Sequence, residues 1–137
     1  MSHFAKVRVN ITDAATLKSA LIACGIEPAH IDVHETPVCL RSYTGSKIKT
    51  QAHVVVRREH IASNAADMGW ELGENGFAHV DEYHNKYTSA LGVVRFVGGI
   101  SQEYSAQVFE KKARAKGKTP VRQKDEKTGV IKVLANA

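Results

Sequence analysis

Apolar and polar residues alternate from the start of the chain: Ala5, Val7, Val9 and Ile11 are separated by Lys6, Arg8 and Asn10. A period of two places one side of a strand in a core and the other in water, so a half-buried first strand is predicted. Thr12-Asp13 then offers a helix cap, and Leu17, Leu21 and Cys24 follow on one side of a predicted helix, Ala14–Cys24. Gly25 can close that helix in the left-handed conformation, leaving Ile26 to fold back over its last turn. From Glu27 to Pro37, Ile31 and Val33 alternate with polar neighbours while Pro28 and Pro37 fence the segment, which predicts a short edge strand or loop. Strands are predicted over Val38–Tyr43 and Gln51–Arg58, joined by residues 44–49, with Val54–Val56 suited to burial on both faces of a sheet. Arg57, Arg58 and Glu59 are expected to return the chain to solvent, and Ala62–Asp67 to join this strand to the next hairpin as a short loop.

Met68, Trp70 and Leu72 alternate again, and Gly-Glu-Asn-Gly at 73–76 leads into Phe77–Val80, a strong hairpin signal. Tyr87, Leu91 and Val94 have helical spacing, but Gly98-Gly99 argues against one uninterrupted helix; a short helix or irregular arm is expected over Tyr87–Val97. Ile100, Tyr104, Val108 and Ala115, with Phe109 widening the stripe, predict an amphipathic helix Ile100–Lys116 ended by Gly117. Thr119–Gln123 and Val130–Leu134 flank the polar turn 124–129 and read as a second hairpin. The elements add up to a single α+β domain over residues 1–137. Its first strand and final hairpin are expected to join a mainly antiparallel sheet with helices on one face.

Composition changes this picture little: 43% hydrophobic and 24% charged residues are ordinary for a folded domain, which excludes wholesale disorder. No apolar run approaches the roughly 20 residues of a membrane span, and residues 1–8 lack the apolar segment of a signal peptide, so a cytosolic protein is expected. Cys24 and Cys39 are too few for a disulfide framework and are expected to be buried thiols. Charge is more informative. Residues 1–94 carry 9 basic and 10 acidic side chains, whereas residues 95–137 carry 10 basic and 4 acidic. Such an asymmetry points towards an acidic partner, a nucleic acid or a protein.

Lys111, Lys112, Arg114, Lys116, Lys118, Arg122 and Lys124 are the candidate phosphate contacts, at a helix end and the adjoining hairpin. Tyr43, Trp70 and Tyr83 would stack bases if exposed, although alternation makes Trp70 a core residue. His79, Asp81, Glu82 and His84 gather imidazoles and carboxylates within six residues and are the candidate metal ligands. They do not have the His-Glu-x-x-His spacing that brings two imidazoles to one helix face. His30 and His34 would pair only on a helix, and His53 and His60 lack a third partner. No nucleophile elbow or phosphate loop accompanies the Ser, Thr and Cys residues, Gly45-Ser-Lys47 being only the tail of one.

Several stretches together resemble a family of small uncharacterised proteins from cyanobacteria, algal plastid genomes and some phages, classed as a domain of unknown function. They are the opening Met1-Ser-His-Phe4, the helix Ala14–Gly25, Leu40–Gly45 leading into Ala52–Val56, and the closing helix, Gly117 and hairpin with Asp125–Ile131. Residues 83–99 depart from its pattern, with Gly98-Gly99 where continuous helix would stand. The resemblance implies a compact α+β fold with an antiparallel sheet and packed helices; it brings no catalytic residues and no cofactor. The sequence therefore leads to a non-catalytic binding or accessory protein acting on another macromolecule. A nucleic-acid-binding module using residues 111–124 is the runner-up, and a small metal-dependent enzyme around 79–84 the third reading.

Overall fold

The computed structural model describes residues 4–81, 85–88 and 92–135. Strand β1 (Phe4–Ile11) leads into helix α1 (Ala14–Ala23), as alternation and capping predict. The Asp13 carboxylate accepts from the Ala15 N–H and from the Thr16 hydroxyl, satisfying the helix start. At the other end Gly25 takes a φ of 103°, and the amides of Gly25 and Ile26 donate to the carbonyls of Ile22 and Leu21. That crossed pair needs the left-handed residue, and it drives Ile26 into the core.

Strands β2 (Ile31–Arg41), β3 (Lys47–Val56), β4 (Met68–Glu71) and β5 (Gly73–Asp81) complete a five-stranded sheet in the order β1-β5-β4-β3-β2, antiparallel throughout. Two predicted segments prove to be one: 31–37 and 38–41 form a single edge strand, with Pro37 at the register shift between Val33 and Val38. A proline withdraws a donor from the ladder, and an edge strand with an irregularity there absorbs the loss. Val54, Val55 and Val56 are fully buried, and β3 has sheet neighbours on both sides. The β4–β5 connection is longer than an Asn-Gly turn. Glu71 pairs with Phe77, so Leu72–Gly76 leaves the β4 ladder while Gly73 and Gly76 pair onto β1. A Cβ on Gly76 would lie 2.1 Å from the Glu71 carbonyl oxygen, so only glycine passes there.

Helix α2 (Val93–Ala115) corrects the expectation of a break: it runs through Gly98 and Gly99 for 23 residues. Each glycine costs roughly 1 kcal/mol relative to alanine. Val93, Phe96 and Val97 are buried beside Ile100, and each such side chain returns about 1.5–3 kcal/mol, so burial wins. The stripe is also shifted from the predicted one. Val94, Phe109 and Ala115 are exposed, while Ala106 and Ala113 take the buried positions. The main core lies between α1, α2 and one sheet face, around Leu17, Leu21, Trp70, Val80 and Ile100. Strands β6 (Pro120–Lys124) and β7 (Ile131–Ala135) form the predicted final hairpin, but it does not join the main sheet. It is a separate two-stranded sheet lying against α2.

Candidate nucleic-acid interface and the helix-free face of the sheet

The C-terminal third is built on α2. Gly117, with a φ of 74°, closes that helix as Gly25 closes α1: its amide donates to the Arg114 carbonyl and the Lys118 amide to that of Ala113. The chain turns back and the hairpin runs alongside the helix. Gln102 holds the turn, its Nε2 donating to the Gly129 carbonyl at 2.8 Å and its Oε1 accepting from the Ile131 amide at 3.1 Å. Arg122 holds the strand, donating to Glu103 at 2.6 Å and to Glu110 at 2.5 Å. Those hydrogen bonds, Glu110 first, raise the guanidinium pKa and keep it charged.

These contacts sort the seven candidate cations. Arg122 is committed to two carboxylates within the chain. Lys111 donates from Nζ to the Thr16 hydroxyl at 2.8 Å, next to the acidic cap of α1. Lys112 borders a shallow hollow with Tyr104, Val108 and Phe109. Among the described residues Arg114, Lys116, Lys118 and Lys124 have no acidic partner, and Lys127 and Lys132 add two more such cations on the hairpin. The aromatic candidates do not gather with them. Trp70 is fully buried, Tyr43 sits on an exposed turn between β2 and β3, and Tyr83 lies outside the described residues.

The metal reading rests on residues only partly described. His79 and Asp81 lie two apart on β5, on the face opposite Ala78 and Val80; Glu82 and His84 fall outside the described residues. Among the described residues, no group of three His, Cys, Asp or Glu side chains is placed to hold a metal ion. His30 stacks on His60 with ring centroids 4.0 Å apart, while His34 is on β2 and His53 accepts from the Leu72 amide. Cys24 is exposed and Cys39 partly so, against the expectation of buried thiols: Cys24 caps α1 at the surface and Cys39 lies on the edge strand.

His79 is the most unusual of these side chains. It is 5% exposed, and its Nε2 lies 3.7 Å from a Glu71 carboxylate oxygen, beyond hydrogen-bond reach. Burial lowers its pKa below the usual value of about 6.5, and Lys6 adds to that, while Glu71 works the other way. The folded state therefore resists protonation that the unfolded chain accepts. The stability this confers is complete above about pH 6.5 and is lost as pH falls through that value towards the folded-state pKa. In urea melts at a series of pH values, His79→Gln should flatten the decline in stability below about pH 6.5. A decline as steep as that of the parent protein would mean that another group causes it.

The sequence reading missed a buried carboxylate. Asp67, fully buried, accepts from the Arg41 and Arg58 amides at 2.7 Å each and from Arg57 Nη1 at 2.8 Å. Arg58 in turn donates to the carbonyls of Tyr43, Ser63 and Ala65. Arg57 and Arg58 are thus internal fasteners rather than a return to solvent, Arg57 holding the Cys39 carbonyl and Arg58 the 42–46 turn through the Tyr43 carbonyl. A lone aspartate before an apolar strand, following two arginines, was the only signal in the sequence.

A profile of the family described as "Protein of unknown function (DUF1257)" matches residues 27–134. The chain belongs to this family. The DUF1257 region takes in β2 to β5, α2 and all but the last residue of the hairpin, so every residue of the basic end and of the Asp67 cluster falls within it. β1 and α1, which supply Lys6 and the Asp13 cap, precede it. No curated protein and no solved structure matches the chain. No helix among the described residues is long and apolar enough to cross a membrane.

Proposed function

We propose that this DUF1257 protein is a non-catalytic accessory protein of the cytosol that acts on another macromolecule, and that the macromolecule is a nucleic acid held at the basic end. The observation that carries this reading is the fastened hairpin. Gln102 and Arg122 fix it along α2, so Arg114, Lys116 and Lys118 at the helix end are held at a set distance from Lys124, Lys127 and Lys132 near the turn. From Gln102 to Lys116 the helix rises about 21 Å, which lets the cations meet several phosphates of one strand. Charge left without internal partners is what a phosphate backbone requires; Lys111 and Arg122 are already used.

The test is fluorescence anisotropy with labelled single-stranded RNA and DNA of mixed sequence. Four phosphate contacts would give a slope of log affinity on log salt near −3, or roughly a 60-fold loss between 50 and 200 mM salt. Changing Arg114, Lys116 and Lys118 together to Glu should weaken binding by about 100-fold or more and flatten the slope. Absence of binding at low salt, or full affinity in the triple variant, would refute the reading.

A further inference from the structure

The face of the main sheet that the helices leave uncovered carries a groove of about 260 Å³. It crosses the sheet from Lys6 on β1, over His79 on β5 and Glu71 on β4, to Lys49 and Gln51 on β3. We propose that this groove binds a small phosphate monoester that also carries hydroxyl groups, such as a sugar phosphate. The site is distinct from the basic end and does not depend on the nucleic-acid reading.

Three observations support it. First, His79 is nine-tenths buried, faces the groove and has no hydrogen-bond partner at Nε2 among the described residues. Folded proteins normally satisfy a buried nitrogen of this kind, and a ligand oxygen in the groove would do so. Second, the ammonium groups stand at the two ends. Lys6 is held in place by the Phe77 ring, with Nζ 4.1 Å from its centroid, and Lys49 projects from β3. A phosphate at the Lys6 end would accept from Lys6 and from a His79 Nε2–H, while Lys49, three strand positions away, adds a second positive charge at the far end. Third, Glu71 is half-exposed and, among the described residues, has only the distant imidazole as an ionic partner. A carboxylate repels a bare anion but accepts from hydroxyls, which selects a hydroxylated ester over inorganic phosphate. The two lysines also oppose a bare metal cation, and the volume suits a ligand smaller than most drug-sized molecules.

The experiment is a titration of the ¹⁵N-labelled protein with ribose 5-phosphate, inorganic phosphate and ribose, reading the His79 ring nitrogens by NMR. Ribose 5-phosphate should give a saturable shift, inorganic phosphate a weaker one and ribose none. Lys6→Gln with Lys49→Gln should raise the Kd for ribose 5-phosphate about tenfold or more. Both lysines are exposed, so that variant keeps its fold, which its far-UV spectrum and melting temperature verify. Glu71→Gln should erase the preference for ribose 5-phosphate over inorganic phosphate. A shift that does not saturate, an unchanged Kd in the double lysine variant, or an equal response to ribose would each overturn the proposal. So would a stoichiometric zinc ion bound by His79 and Glu71 and unaffected by the phosphates.

Discussion

Asp67→Ala is expected to cost the fold about 3–5 kcal/mol, the largest effect of any single change considered for this chain. The carboxylate is fully buried and both of its oxygens are in use: one accepts from the Arg58 amide, the other from the Arg41 amide and Arg57 Nη1. Arg41 Nε approaches at 3.5 Å as well, and the Asp67 amide closes the loop by donating to the Arg41 carbonyl. Truncation leaves two backbone donors and a guanidinium facing a void, and each unmade hydrogen bond costs about 1–3 kcal/mol. Asp67→Asn is a sharper control, since it keeps the volume but turns an amide N–H₂ towards donors; it should lose nearly as much. For a chain of this size the loss corresponds to a fall of roughly 10–20 °C in Tm. Equilibrium urea unfolding checks it. A loss below about 1 kcal/mol in both variants would show that the arginines and amides find water or other acceptors instead.

That cluster also marks where sequence reading stops. The β1–α1 unit was legible because each signal is local: alternation at Val7, Val9 and Ile11, a cap at Asp13, and a left-handed stop at Gly25. Gly117 and the following hairpin were legible on the same grounds. What a local pattern cannot carry is the identity of a distant partner. Nothing near Asp67 in sequence announces that its acceptors serve residues 41, 57 and 58, and nothing near the final hairpin says that it leaves the main sheet for α2. Gly98-Gly99 points to a break for a related reason: local propensity does not include the burial of Val93, Phe96 and Val97 that outweighs it.

The candidate sites divide in the same way. Counting cations from 111 to 124 located the basic end, but the count could not tell available charge from charge already used. Glu103 and Glu110 lie seven residues apart on α2, a spacing that puts both on one side of a helix, and they take Arg122 out of the set. In the sequence His79 stands beside Asp81, Glu82 and His84. The strand places it instead among Glu71, Lys6 and Lys49, residues from three other strands. A cluster in sequence thus became a groove in space whose members only strand pairing brings together.

Arg122→Ala should release the hairpin. The side chains of Glu103 and Glu110 are only 11% and 12% exposed, and Arg122 is the cation shared between them. Removing it leaves two largely buried carboxylates facing one another across two helical turns, at a cost of about 2–4 kcal/mol, less than for a fully buried pair because Arg122 itself is 32% exposed. The cost falls on a weak element, since an isolated two-stranded hairpin is marginal in water and this one rests on α2 through Gln102 and half-buried Ile131 and Val133. Amide exchange within β6 and β7 should accelerate by roughly 30- to 1,000-fold, while the five-stranded sheet stays protected. Arg122→Met combined with Glu103→Gln and Glu110→Gln removes every charge of the triad and should recover most of the loss. Arg122 already commits its charge to two carboxylates, so its loss should weaken nucleic-acid binding by displacing Lys118, Lys124 and Lys132 and by leaving two negative charges beside them. The neutral triple variant, which removes both effects, should restore affinity without restoring the arginine. Unchanged exchange in β6 and β7 of Arg122→Ala would mean that the apolar contacts alone hold the hairpin, and the fixed spacing of its lysines would then owe nothing to this triad.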